Sequence, residues 1–165
     1  MEIYLLRHGI AEERAAHNGP DEERALTAEG RRKLRQVAKA MRAMRLSFDV
    51  IFSSPLVRAL QTAEIAAEAL RLKRRLQLTE HLAPGTPTEK QIAWLKDLRP
   101  EPESVLLVGH EPNFSELTSR LLTGQERMAI NFKKAGLCKV MAERLGGQRA
   151  TLEWFLTPKL MELMS

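Results

Sequence analysis

Apolar runs alternate along this chain with stretches whose apolar residues recur every three or four positions, so strands and amphipathic helices are expected to alternate. Ile3 to Leu6 is the first run, and it breaks directly into Arg7, His8 and Gly9. The charged segment from Ala11 to Leu26, with Asn18, Gly19 and Pro20 at its centre, has no periodicity and reads as a loop folding over that junction. Thr27 then opens a helix with Leu34, Val37, Ala38 and Met41 on one face, continuing to about Arg45. Asp49 to Phe52 reads as a second strand. Ser54 and Pro55 have the form of an N-cap followed by a first-turn proline, starting a helix that buries Leu60, Ala63, Ala67 and Leu70. Leu76 to Leu78 is a short third strand. Thr86, Pro87 and Glu89 form a T-x-x-E capping box for a helix through Ile92, Leu95 and Leu98, stopped by Pro100 and Pro102.

Ser104 to Val108 is nearly all apolar, as a central parallel strand buried on both faces should be. It breaks into Gly109 and His110, the same plan as at Arg7 and His8. A helix from Asn113 carries Phe114, Leu117 and Leu121 to a stop at Gly124. Leu137 to Glu143 and Ala150 to Leu156 flank a turn at Gly146 and Gly147 and predict an antiparallel hairpin. The tail from Pro158 to Met164 is expected to pack back on the domain. The fold class is therefore α/β: a three-layer α/β/α sandwich, one domain over 1–165, with a mostly parallel central sheet and a C-terminal antiparallel hairpin. Ligands bind such sheets beyond the carboxyl ends of the strands, which puts both histidine junctions in one place.

Composition narrows the function. The chain has 165 residues, 44% hydrophobic and 28% charged, and no apolar stretch approaches the roughly 20 residues that span a bilayer. No membrane association and a cytoplasmic location are expected. The lone Cys138 excludes an internal disulfide and reads as a small buried hydrophobe. The formal charge of +5 favours acidic substrates. Its basic clusters, Arg31 to Arg35 and Arg71 to Arg75, read as solvated helix faces and chain ends. With 5% aromatic residues and none interleaved with those clusters, no nucleic-acid surface is expected.

A histidine at a strand tip beside arginine is disfavoured as a cation, so His8 should stay neutral, and neutral imidazole is a nucleophile. Arginine matches the oxygens of a phosphoryl group. Phosphoryl transfer needs positioning and positive charge around the phosphorus, which Arg7, Arg58 and a protonated His110 would supply, with backbone N–H groups of the helices after Ser54 and His110 as further donors. Opposed protonation of His8 and His110 predicts a bell-shaped pH profile. The chain has no H-E-x-x-H, no aspartate cluster, no cysteine pair and no G-x-x-x-x-G-K-[ST] loop, so no metal and no cofactor is expected. His17 and His81 read as structural, and Trp94 and Trp154 as packing residues.

The R-H-G of Arg7 to Gly9, the S-S-P-L-x-R-A-x-Q-T run from Ser53 to Thr62 and the G-H of Gly109 and His110 together resemble the histidine phosphatase superfamily, whose fold is phosphoglycerate mutase-like. Among its members the chain most resembles the small SixA-type phosphohistidine phosphatases, over Met1 to about Leu122. The resemblance implies His8 as the transiently phosphorylated nucleophile, Arg7 and Arg58 as the phosphate grip, and His110 as stabiliser of the transferring group. It makes Arg24 and Thr27 organisers of the pocket. Glu80 stands where larger members carry a proton donor, and is a candidate for that role. The expected substrate is a phosphohistidine-containing protein or peptide, such as a phosphotransfer protein of a signalling relay, and the chain is expected to be a monomer. The alternatives are a phosphatase for small phosphate monoesters and a non-catalytic phosphate-binding adaptor.

Overall fold

The computed structural model describes residues 1–125, 128–143, 145 and 150–165. Six strands, β1 (Glu2–Arg7), β2 (Val50–Ser53), β3 (Leu76–Leu78), β4 (Ser104–Gly109), β5 (Leu137–Met141) and β6 (Thr151–Leu156), form one sheet in the order β3-β2-β4-β1-β5-β6. The first four are mutually parallel; β5 runs antiparallel between β1 and β6. The mostly parallel sheet and the closing antiparallel pair are as the sequence predicts. The expected turn at Gly146 and Gly147 lies outside the described residues.

Side chains leave a strand on alternate faces, and both faces here are covered. Tyr4, Leu6, Ile51, Leu106 and Val108 pack beneath α1 (Ala28–Ala43), α2 (Val57–Leu70) and α5 (Pro158–Glu162). Ile3, Leu5, Phe52, Val105 and Leu107 pack on the other side with α3 (Thr88–Asp97) and α4 (Asn113–Thr123). That is why β1 and β4 read as unbroken apolar runs. The C-terminal tail packs back as expected, with Met161 fully buried.

β1 and β4 are neighbours whose chains leave their carboxyl ends for opposite faces, β1 towards α1 and β4 towards α4. This is a topological switch point, the place where sheets of this kind open a crevice for ligands.

Two helix starts differ from expectation. α2 begins at Val57, its N-cap is Leu56 without a side-chain bond, and Ser54 sits outside it, accepting the Leu56 N–H at 3.3 Å. Ser54 is drawn away because its hydroxyl has a distant partner, described below. The Thr86 capping box does not form either: its hydroxyl donates backwards to Ala83 O and Glu80 O, and α3 starts at Thr88 with Pro87 as N-cap. Thr27 does cap α1, accepting from Gly30 N at 3.0 Å.

Candidate active site

Arg7 ends β1 and His8 follows it. His8 N donates to Gly109 O at 3.0 Å, so the two strand tips are tied by backbone just where they present their histidines. The rings of His8 and His110 lie 5.1 Å apart between centroids, tilted by 52°, and are 7% and 2% exposed. The two junctions meet as the sequence predicts.

The backbone after His8 is fixed from two helices. Gly9 N donates to Thr62 Oγ1, which in turn donates to Arg58 O, so the strand tip and the first turn of α2 are joined through one hydroxyl. Ile10 O accepts Thr27 N at the start of α1, and a Cβ on Gly30 would lie 2.0 Å from that same carbonyl, so only glycine permits the approach. Leu26 N is accepted by Gln61 Oε1. The Gln61 and Thr62 of the motif therefore hold the segment around His8 in place.

Arg7 is wrapped by the segment preceding β5. Its Nη1 donates to Phe132 O at 2.5 Å and its N to Gly136 O, while Ala135 N donates to both Arg7 O and His8 O. Arg58, 4% exposed, donates from Nη1 to Asp21 O at 2.8 Å and from Nη2 to Asp21 Oδ2 at 2.9 Å. Arg24 holds the other Asp21 oxygen from Nε at 2.8 Å. The loop between β1 and α1 thus folds onto the site as expected, with Asp21 as its anchor. Arg24 organises Asp21 rather than facing the rings, and Thr27 is a helix cap.

His8 Nδ1 lies 2.7 Å from Gly9 O. A carbonyl can only accept, so Nδ1 carries the proton and Nε2 keeps a free lone pair. Burial is the chief reason the pKa of His8 is pushed down to about 3, with the charges of Arg58, Arg7 and Lys134 adding to it against the Gly9 carbonyl. The ring is neutral as expected, but mainly through desolvation. His110 is also pushed down to about 3, by burial first and then by His8 and Arg58. This corrects the expected protonated His110: without a bound anion, both rings are uncharged.

Among the described residues, three buried nitrogens of these side chains have no hydrogen-bond partner: Arg7 Nε, Arg58 Nε and His110 Nδ1. Each unsatisfied buried polar group costs about 1–3 kcal/mol. Both arginines act electrostatically on the His8 and His110 rings, and nitrogens left unpaired so near them suit an oxyanion. Of the backbone donors expected after His110, Phe114 N is spent on His110 O and Ser115 N on Glu111 Oε1, whereas Asn113 N, the first of α4, has no hydrogen-bond partner among the described residues.

The structure brings together Arg7, His8, Arg58 and His110. Glu80 lies in an exposed 3₁₀ turn after β3, and its carboxylate makes no hydrogen bond or ion pair among the described residues. The sequence reading missed Ser54 as partner of His110, Asp21 as partner of Arg58, and the Phe132–Gly136 segment around Arg7. Ser54 lies inside one of the motifs, and Asp21 opens the D-E-E-R-A-L-T-A-E-G stretch that carries Arg24 and Thr27.

The residues read as structural each have a polar or packing partner. His17 pairs with Glu12 at 3.0 Å, His81 stacks on Trp94, Trp94 and Trp154 pack edge-on against Phe52 and Tyr4, and burial pushes the Cys138 thiol up to about 12. A cavity of about 780 Å³ beside β3, lined by Phe52, Leu78 and Trp94, contains none of the four site residues. Among the described residues no helix is long and apolar enough to cross a membrane.

A family profile described as histidine phosphatase superfamily (branch 1) matches residues 3–83. An uncharacterised protein of Picosynechococcus sp. is 40% identical over 138 residues, 83% of this chain and 82% of its own. Phosphohistidine phosphatase SixA of Escherichia coli (strain K12) is 27% identical over 159 residues, covering 96% of this chain and 94% of its own. The solved structure of the protein histidine phosphatase SixA complexed with tungstate superposes with a TM-score of 0.84 at 26% identity, over 96% of this chain and 98% of that one. Likeness in sequence and along nearly the whole fold agrees with the paired strand tips, and the chain belongs to the histidine phosphatase superfamily.

Proposed function

We propose that this phosphatase hydrolyses phosphohistidine on a protein or peptide, in two steps through its own His8. The observation that carries the reading is the state of His8: a buried neutral ring, its Nδ1 proton given to Gly9 O, its Nε2 lone pair free, beside buried donors without partners. In the first step Nε2 attacks phosphorus, the P–N bond of the substrate breaks, and the departing imidazole takes a proton from solvent. In the second, water attacks the phosphorus on His8, the P–Nε2 bond breaks, and inorganic phosphate leaves with the ring restored. Arg7, Arg58 and His110 neutralise or hydrogen-bond the phosphoryl oxygens in both steps.

Imidazole is a far weaker base than an alkoxide, so its departure asks little of a dedicated acid. The exposed Glu80 carboxylate, without a hydrogen-bond partner among the described residues, is compatible with a reaction that needs no dedicated acid. The short connection from β2 to β3, which holds α2 and a 3₁₀ turn, leaves little chain to roof the crevice and favours a protein side chain as substrate. The relative bound to tungstate, a tetrahedral oxyanion like phosphate, supports an anion site in this fold.

Purified protein mixed with phosphohistidine should release phosphate and carry acid-labile phosphate in rapidly quenched samples, both lost in His8→Ala. Higher kcat/KM for phosphoglycerate or sugar phosphates than for phosphohistidine would replace the substrate assignment. Full turnover by His8→Ala would overturn the mechanism.

A further inference from the structure

We infer that Ser54 is a positioning residue: its hydroxyl donates to His110 Nε2, fixes the neutral ring with its proton on Nδ1, and so presents a donor to a phosphoryl oxygen. His110 Nε2 and Ser54 Oγ lie 2.8 Å apart, and both residues are buried, Ser54 completely. Either atom can in principle donate across that gap, and the surroundings of the hydroxyl decide. Ser54 Oγ already accepts the Leu56 N–H at 3.3 Å. Among the described residues it has no other hydrogen-bond partner than His110. A hydroxyl has one proton, and burial denies it water, so the proton goes to the ring nitrogen.

The rest of the ring follows. A neutral imidazole that accepts at Nε2 carries its proton on Nδ1. Among the described residues His110 Nδ1 is buried and has no partner, so the free edge of the ring is an unpaired N–H. With the opposite tautomer the same edge would offer a lone pair to the phosphoryl oxygens, and repulsion would replace a hydrogen bond. The backbone of Ser54 is fixed for the task, its N donating to Val108 O at 3.0 Å and its carbonyl accepting from Ser53 Oγ at 2.9 Å. One side chain therefore ties the N-cap of α2, the helix that carries Arg58, to His110 just beyond the tip of β4. It also explains why Ser54 does not serve as the helix cap.

The assignment rests on the proposed function only for the identity of the oxyanion, and it can be tested without a substrate. Ligand-free protein carrying ¹⁵N-histidine, with His110 signals assigned through a His110→Gln variant, reports directly which nitrogen is protonated near pH 7. Protonated Nδ1 with unprotonated Nε2 is expected; protonated Nε2 in the parent protein overturns the inference. Ser54→Ala should shift His110 towards the Nε2-protonated form, weaken binding of inorganic phosphate, and lower kcat roughly 10- to 100-fold, with Ser54→Thr restoring most of all three. A kcat loss in Ser54→Ala with the His110 tautomer unchanged would make Ser54 merely structural and overturn the inference. If Nδ1 proves protonated while phosphohistidine is not turned over, the substrate reading fails and this one stands.

Discussion

Two strands of one sheet end in histidine, and the two tips differ in what holds the ring. At the tip of β1, His8 gives its Nδ1 proton to the carbonyl of its own neighbour, Gly9. At the tip of β4, His110 is held at Nε2 by Ser54, a side chain 56 positions away in sequence. Both rings are buried and both have their pKa pushed down to about 3, chiefly by burial. Their charge state therefore does not distinguish them; the partner of the second nitrogen does. It leaves His8 with an exposed lone pair suited to phosphorus, and it leaves His110 with a nitrogen suited to oxygen. The rims differ too: Lys134 acts on His8, whereas Asp21 is the acidic group acting on His110.

The sharpest way to break this comparison is to remove each ring in turn. His8→Ala should abolish turnover to within assay limits, a loss of at least about 10³-fold, because no other group supplies the nucleophile. His110→Ala should lower kcat roughly 10²- to 10³-fold, the effect of losing one oxyanion donor, yet still accumulate acid-labile phosphate on His8. Rapid-quench measurement of phosphoenzyme in both variants checks the pair. Equal loss of the intermediate would mean that the two rings do not divide the work as proposed.

Acid is a gentler probe of the same two rings. A histidine binds its proton below about pH 6.5 in the unfolded chain, whereas these two stay neutral in the fold until about pH 3. Between those values the unfolded state holds more protons, so stability falls as pH falls, by up to about 2 kcal/mol per ring between pH 6.5 and 5. Replacing His8 by Gln should roughly halve the part of that slope owed to the pair, measured by urea unfolding at several pH values. An unchanged slope would mean that the rings are not buried as neutral groups. For the same reason kcat/KM, which reports the free enzyme, should show no acid limb from His8 between pH 8 and 5. This replaces the bell expected when His110 was read as a cation. A steep loss over that range, after correction for ionisation of the substrate, would contradict it.

The layers, the mostly parallel sheet and the meeting of Arg7, His8, Arg58 and His110 were legible because they follow from local patterns. Doubly buried strands must read as apolar runs, and a polar residue directly after one must sit at its tip. The partners of those residues were not legible. Ser54 followed by Pro55 has the form of a helix cap, and only the approach of β4 from far along the chain gives its hydroxyl a better use. The loop that holds Asp21 gives its carboxylate no partner by local pattern, and only the approach of Arg58, 37 positions on, makes it an acceptor. Thr86 failed as a cap for a similar reason, since its hydroxyl is taken by the loop that ends in Ala83. Local pattern reveals which residues stand at the site; tertiary contact decides which atom of each is free.

The smallest expected effect concerns the rim that separates the two tips. Burial works against ionisation of Asp21, but hydrogen bonds from Arg24 and Arg58 outweigh it and hold its carboxyl below the usual range, so it is charged at pH 7. A carboxylate beside an anion site opposes a phosphate dianion while it holds the arginine that attracts it. These two actions can be separated, because Arg58 Nη1 is bonded to the main-chain oxygen of Asp21, which no substitution removes. Asp21→Asn should therefore keep Arg58 in place, and its carboxamide oxygen can still accept from Nη2. What changes is the charge. Inorganic phosphate should bind about two- to fivefold more tightly, a small effect because Asp21 is well exposed to solvent, and the gain should shrink as salt screens it. Calorimetric titration at low and high ionic strength measures both. Weaker binding in Asp21→Asn would mean that the carboxylate matters more as the anchor of Arg58 than as an opposing charge, and that the two strand tips share one rigid cradle.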